Sequence, residues 1–186
     1  MKLTKFLRKS GSEPLKVRQA VASNNKTPVE VLSKLANDGD WKVRQAVAGN
    51  SKTPADVLIR LAEDPDEVVR ITVAGNANTP EDILKKLSQD PFSDVRIAVA
   101  NNTNVSSEIL EKLADDVSWK VRQAVAGNSK TSSDVLTMLA CDGNWKVRQA
   151  VASNTNTSVD DLIRLAEDDG EYVRSTAVSN TNYQQK

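Results

Sequence analysis

The stretch WKVRQAVAGNSKT fills residues 41–53 and recurs letter for letter at residues 119–131. The two copies start 78 positions apart, which is three times 26, and a step of 26 runs through the whole chain. Val-Arg pairs begin at Val17, Val43, Val69, Val95, Val121, Val147 and Val173. Asn24, Asn50, Asn76, Asn102, Asn128, Asn154 and Asn180 keep the same spacing, as do Asp38, Asp64, Asp90, Asp116, Asp142 and Asp168. Leucines 35, 61, 87, 113, 139 and 165 form a fourth column. Four columns locked in one register mark a tandem-repeat protein, and the identical thirteen residues are two copies of one unit.

Each unit reads as two short helices. Asp64-Pro65 and Asp90-Pro91 have the form of an N-cap followed by proline in a first helical turn. Beyond Asp64 the apolar residues Val69, Val73 and Ala74 fall at helical spacing, and Gly75-Asn76 marks the end. The second half opens at Thr79-Pro80, again as cap and proline. Thr27 with Glu30 fits a capping box, and Thr53 with Asp56 and Thr79 with Asp82 are acidic analogues. Ile83, Leu84 and Leu87 then line one face. Serine replaces the proline at Ser132 and Ser158, and in the fourth unit Val105 takes the threonine slot, leaving the cap to Ser106 or Asn104. The spacing predicts a first helix of about ten residues and a second of about nine. No segment alternates apolar and polar residues as a half-buried strand does. The unit is shorter than ankyrin, tetratricopeptide or HEAT repeats, and it lacks the alternating leucines of a leucine-rich-repeat strand. Two such helices enclose no core alone, so the fold class expected is an all-α solenoid stabilised by stacking of neighbours.

Residues 1–186 are expected to form this single solenoid. Residues 1–12 read as an N-terminal half-repeat in which Phe6 takes the slot of Leu32 and Lys9 that of Leu35, the lysine giving the cap a polar face. Residues 13–168 hold six full repeats, and residues 169–186 a C-terminal half-repeat.

Composition narrows function further. The chain carries 25 basic and 25 acidic residues, so it lacks the global positive field of a general nucleic-acid binder. It contains no histidine, which removes the usual general base and the commonest metal ligand. A lone cysteine, Cys141, supports neither a disulfide nor a cysteine-ligated cluster; its slot holds polar residues in other units, so it reads as an exposed thiol. No catalytic, cofactor-binding or metal-ligating residue is assigned, and the chain reads as a scaffold rather than an enzyme. No signal segment or membrane span is recognised, which makes a cytoplasmic location the expectation.

Repeating polar residues belong to the frame. Arginine and aspartate in every unit suit ladders, the aspartate capping the first helix and the arginine gripping its own or a neighbouring aspartate. The asparagine column suits the backbone groups of the inter-helix turn. Function is then expected where units differ. The slot two residues before Val-Arg reads Leu15, Trp41, Glu67, Ser93, Trp119, Trp145 and Glu171, and it holds every tryptophan of the chain. Each tryptophan is followed by a lysine (Lys42, Lys120, Lys146), and three residues beyond stands Gln45, Gln123 or Gln149. Trp41, Lys42, Trp119, Lys120, Trp145 and Lys146 are therefore the candidate partner-binding residues. A tryptophan–lysine stripe suits a protein partner, and in an alternative reading it stacks and neutralises single-stranded nucleic acid. A second reading of the same rings is packing against the adjacent unit, with lysine stems along them. A monomer is expected: the basic residues 1–18 and the acidic residues 160–171 read as solvated caps, and weak head-to-tail association of the two ends is the alternative reading.

The segment VRQAVAGNSKTPADVLIRLAEDP, residues 43–65, resembles the leucine-rich repeat variant family, whose unit runs VR-x-x-VA-x-N-x-x-TP into an L-x-x-LA core and a closing aspartate. The likeness spans essentially the whole chain, and HEAT-like repeats are similar in pattern. The resemblance implies alternating α and 3-10 helices in a right-handed superhelix, and a second helix this short suits partial 3-10 geometry. A cysteine cluster preceding the repeats would imply an iron–sulfur centre; this chain lacks those cysteines, so the cluster is not carried over.

Overall fold

The computed structural model describes residues 13–184, so the half-repeat expected at residues 1–12 lies outside the described residues. Among the described residues every element is an α-helix and none is a strand. The chain divides into two compact units, residues 1–104 and 105–186. In the first, α1 (Leu15–Ser23), α3 (Trp41–Ala48), α5 (Glu67–Gly75) and α7 (Ser93–Ala100) are the A helices of successive repeats. Between them run the B helices α2 (Val29–Leu35), α4 (Ala55–Leu61) and α6 (Glu81–Leu87). The second unit holds the A helices α9 (Trp119–Gly127), α11 (Trp145–Ser153) and α13 (Glu171–Ser179). Its B helices are α8 (Ser107–Leu113), α10 (Ser133–Leu139) and α12 (Val159–Leu165), and α14 (Thr181–Gln184) closes it.

Helices of seven to nine residues are marginal alone in water, so packing has to hold them. The inner A helices bury a fixed triplet, as with Val43, Val47 and Ala48, and the B helices another, as with Val57, Leu58 and Leu61, while α1 buries only Ala22 and α13 only Val173 and Ala177. Within each unit every A helix lies against the A helix of the next repeat and against its flanking B helices. The core is therefore a row of small aliphatic layers, each shared between neighbours.

Three polar ladders join the layers. Arg44 Nε and Nη2 donate to Asp64 Oδ2 and Oδ1, the closing aspartate of its own repeat, at 2.6 and 2.8 Å, while Nη1 donates to the Asp38 carbonyl of the preceding repeat at 2.9 Å. Arg18 with Asp38 and Arg70 with Asp90 repeat this grip in the first unit, and Arg122 with Asp142 and Arg148 with Asp168 repeat it in the second. Asn50, 2% exposed, donates from Nδ2 to the Ala22 and Asn24 carbonyls of the preceding repeat, and its Oδ1 accepts the Lys52 N–H. A second asparagine column, which the sequence reading missed, sits two residues later: Asn78, Asn156 and Asn182 donate to Ser51, Ser129 and Thr155 carbonyls of the repeat before.

Several local expectations are corrected. Asp64 is not the N-cap of α5. The cap is Asp66, whose side chain accepts the Val68 N–H, and Asp64 accepts the Asp66 N–H in the turn before it. The buried threonines do not cap the B helices either. Thr53 Oγ1 donates to the Val47 carbonyl at 2.5 Å and Thr79 Oγ1 to Val73 at 2.6 Å, so they satisfy carbonyls at the end of the A helix, while Pro54 and Pro80 occupy the B-helix caps. The B helices are α-helical throughout their seven residues, and i→i−3 bonds appear at their closing turn, where Asn37 and Asp38 N–H donate to Lys34 and Leu35 carbonyls. The helix α14 was not foreseen. In α12, Asp161 replaces the aliphatic residue of the other B helices; it is 5% exposed and accepts from Thr137, Ser158 and Arg164. Among the described residues no helix is long and apolar enough to cross a membrane.

The aspartate ladder gives stability a definite pH dependence. Burial by itself pushes the Asp64 carboxyl up, but the Arg44 hydrogen bonds, the Asp66 N–H and the charges of Arg44 and Arg70 outweigh it and hold it below the ordinary range. Asp38 and Asp142 are lowered against burial in the same way, and at Asp168 the Arg148 pairing is the foremost cause. A carboxylate lowered in the folded state stabilises it fully above the unfolded value of about 3.9 and ceases to do so as pH falls through the folded value. Urea midpoints followed by circular dichroism should hold down to about pH 5 and then fall. Asp64→Asn should start lower at neutral pH and lose less in acid; an acid limb as steep as in the wild type would show that this aspartate contributes nothing to it.

Ser106 offers an opposite case. It caps α8 with φ −81° and ψ 158°, close to Pro54 at −74° and 158°, yet its hydroxyl is buried without a partner. Ser106→Pro should stabilise the protein by about 0.5–1 kcal/mol, through a stiffer unfolded chain and removal of the orphan hydroxyl. Ser158→Pro should destabilise, because Ser158 Oγ bonds both the Asp161 N–H and its carboxylate. Equal thermal shifts for the two variants would refute this account.

Candidate interaction surface

Within each unit the A helices carry their variable slots in the first helical turn. Val147, Val151 and Ala152 turn inward, which leaves Trp145 at the first position of α11, Lys146 at the second and Gln149 one turn on, on the outer side. The same geometry holds for Trp119, Lys120 and Gln123 on α9 and for Trp41, Lys42 and Gln45 on α3. Trp41 and Trp119 are half-buried, whereas Trp145 is 42% exposed.

In the second unit these side chains connect across repeats. Lys146 Nζ lies 4.8 Å from the Trp119 ring centroid and 5.6 Å from that of Trp145. The Trp145 ring in turn stacks on Tyr172, with centroids 5.8 Å apart and planes at 28°. The result is a ridge, Trp119–Lys146–Trp145–Tyr172, crossing α9, α11 and α13. Cation–π contact of this kind favours an ammonium held over two faces, and it fixes the long lysine stem that is otherwise a flexible surface group. The lysine thus reaches back to the ring of the preceding repeat as well as lying over its own.

Trp41 stands apart in the first unit. Lys42 Nζ lies 5.5 Å from its centroid, but the next A helix offers Glu67 and Val68 in place of an aromatic and a lysine, so the pair stays local. Lys120 is exposed on α9. Of the six residues picked out by sequence, the structure therefore places Lys146 over both Trp119 and Trp145 and leaves Trp41 with Lys42 as a separate pair. Tyr172 was missed. The tryptophan slot holds Glu171 in the last repeat, and the aromatic falls in the neighbouring lysine slot, which reads Lys120, Lys146 and Tyr172 in the second unit.

Other surface features carry less chemistry. A shallow groove of about 300 Å³ in the first unit is lined by Gln19, Ser23, Gln45, Ala46, Gly49, Asn50 and Thr72, all of them uncharged. A Cβ on Gly49 would stand 3.3 Å from Thr72 Cγ2, so glycine gives α5 its close approach to α3. No titratable group lines the groove, which leaves it without an acid, a base or a nucleophile of ordinary strength. Cys141 is exposed and unpaired in a disulfide, and no cluster of three metal-capable side chains exists among the described residues.

Comparison with known proteins agrees with the repeat geometry. The model of the leucine rich repeat variant family matches residues 41–66. No curated protein sequence matches the chain. A solved structure described as a leucine-rich repeat variant with a novel repetitive structural motif superposes with a TM-score of 0.71 at 32% sequence identity, over 95% of this chain and 69% of that one. A 26-residue unit that repeats the same buried triplets and polar ladders, and aligns at this identity along nearly its whole length, makes the chain a member of the leucine-rich repeat variant family.

Proposed function

We propose that this repeat scaffold is a non-enzymatic protein-interaction module that holds its partner on the ridge of the second unit. The observation that carries the reading is the exposed Trp145–Tyr172 stack. Aromatics make up 4% of the chain, yet three of them line up on consecutive A helices, outside the aliphatic core. Large rigid rings of this kind supply much of the binding energy at protein interfaces for little lost side-chain entropy. The frame residues below are committed to the stack, so the ridge can vary without disturbing it.

The nucleic-acid reading fits less well. Binding to phosphates needs several cations free to replace counterions. Arg122 and Arg148 are occupied by Asp142 and Asp168, which leaves Lys120, Lys146 and Arg174, the last bonded to the Asp168 and Asp169 carbonyls, with Glu171 opposing them at the end of the ridge.

The two readings separate in an affinity capture from nuclease-treated extract at moderate salt, comparing the wild type with the double variant W145A/Y172A. The expected result is a protein retained by the wild type and lost by the variant, with unchanged helical circular dichroism. Retention of the same protein by both overturns the reading. Binding that appears only with intact nucleic acid and falls steeply with salt would favour the alternative.

A further inference from the structure

Lys146 differs from the other cations that join α9, α11 and α13. Arg122 and Arg148 each grip an aspartate through two nitrogens. The Lys146 ammonium is instead held between two ring faces, and no carboxylate among the described residues closes an ion pair with it. An ammonium fixed in place, partly desolvated and lacking an anion is a prepared seat for a carboxylate. Lys120 offers a second ammonium in the same slot one repeat earlier, exposed to solvent.

The spacing of these seats restricts the ligand. Packed helices lie about 8–10 Å apart, so equivalent slots on α9 and α11 recur at about that interval. An extended β-strand shows the same face about every 6.6 Å, which falls out of step. A polyproline II segment has three residues per turn and a rise of about 3.1 Å, so one edge recurs about every 9.3 Å. Its peptide carbonyls are unpaired, and the Gln123 carboxamide stands one helical turn from Lys120 as a donor, as does the second N–H of Gln149, whose Nε2 also donates to Thr176 Oγ1. Flat rings such as Trp145 and Tyr172 suit proline rings, which lose little entropy on docking.

We propose that the ridge on α9, α11 and α13 receives an acidic, proline-rich segment in polyproline II conformation, with carboxylates at every third position facing Lys120 and Lys146. The proposal rests on the reading of this ridge as the partner-binding face, and it names the chemistry of the partner. Glu171, at the first position of α13, repels a further carboxylate, so the segment meets Tyr172 with an uncharged residue.

A fluorescein-labelled peptide of four Glu-Pro-Pro repeats tests this by fluorescence anisotropy on the full chain at low salt, beside Lys-Pro-Pro, Glu-Gly-Gly and oligothymidylate probes. The Glu-Pro-Pro probe should bind, and the other three should bind about tenfold more weakly or worse. K146M keeps the stem and removes the charge; it should weaken Glu-Pro-Pro binding about tenfold with unchanged circular dichroism. K120M should weaken it several-fold, and K34M on α2 should leave it unchanged. Wild-type affinity in K146M and K120M, equal binding of Lys-Pro-Pro, or tighter binding of oligothymidylate overturns the proposal, as does a failure of Glu-Pro-Pro to bind. If Glu-Pro-Pro fails while W145A/Y172A still loses its captured protein, only the partner's chemistry is wrong. If that variant also keeps its protein, the ridge is not the binding face.

Discussion

A chain cut into helices of seven to nine residues depends on how the end of one helix is tied to the next. Each helix leaves orphan N–H and C=O groups at both ends, and with so many ends these groups become a large share of the backbone. The repeat answers this with side chains at fixed register. Threonine closes the A helix, asparagine bridges to carbonyls of the previous repeat, and arginine ties its own closing aspartate to a carbonyl of the repeat before. Remove these bonds and buried polar groups stand without partners inside a core of Val, Leu and Ala that is too thin to compensate.

The same dependence explains what could be read from the sequence. Period, repeat count and buried triplets follow from one constraint, that equivalent residues meet equivalent neighbours, so they appear as columns. The bonding of individual polar residues is less legible, because several bond patterns share one residue pattern. Thr-Pro reads as cap and proline, yet Thr53 turns back to Val47, since its hydroxyl sits closer to that orphan carbonyl than to any B-helix N–H it would cap. Asp-Pro misleads likewise: Asp64 is held by Arg44 of the A helix before it, and the cap passes to Asp66. The aspartate is decided by a partner 20 residues away and the threonine by a carbonyl 6 residues back in the preceding helix, and a cap-and-proline pattern carries no information about either.

The candidate surface was legible in part for a related reason. Departures from a column are visible, so the tryptophans stood out. What they touch depends on which lysine reaches which ring, a matter of side-chain direction across repeats. Lys146 serves two rings because Trp119 precedes it by one repeat; Lys42 has only its own ring to cover. Tyr172 entered the ridge from a neighbouring slot, since residues one apart on a first helical turn still project to the same edge of the stack.

Frame and ridge also divide charge between them. Arginine, with a fork that matches a carboxylate, is spent on the frame, where geometry is fixed and water is scarce. Lysine, a point charge on a flexible stem, is left for the outer row, where the rings supply the order its stem lacks. In a scaffold built this way the two variable slots of each repeat can change without touching a hydrogen bond or ion pair of the frame. The 26-residue period therefore preserves the stack in every unit, while the first turn of each A helix remains the place where one unit differs from the next.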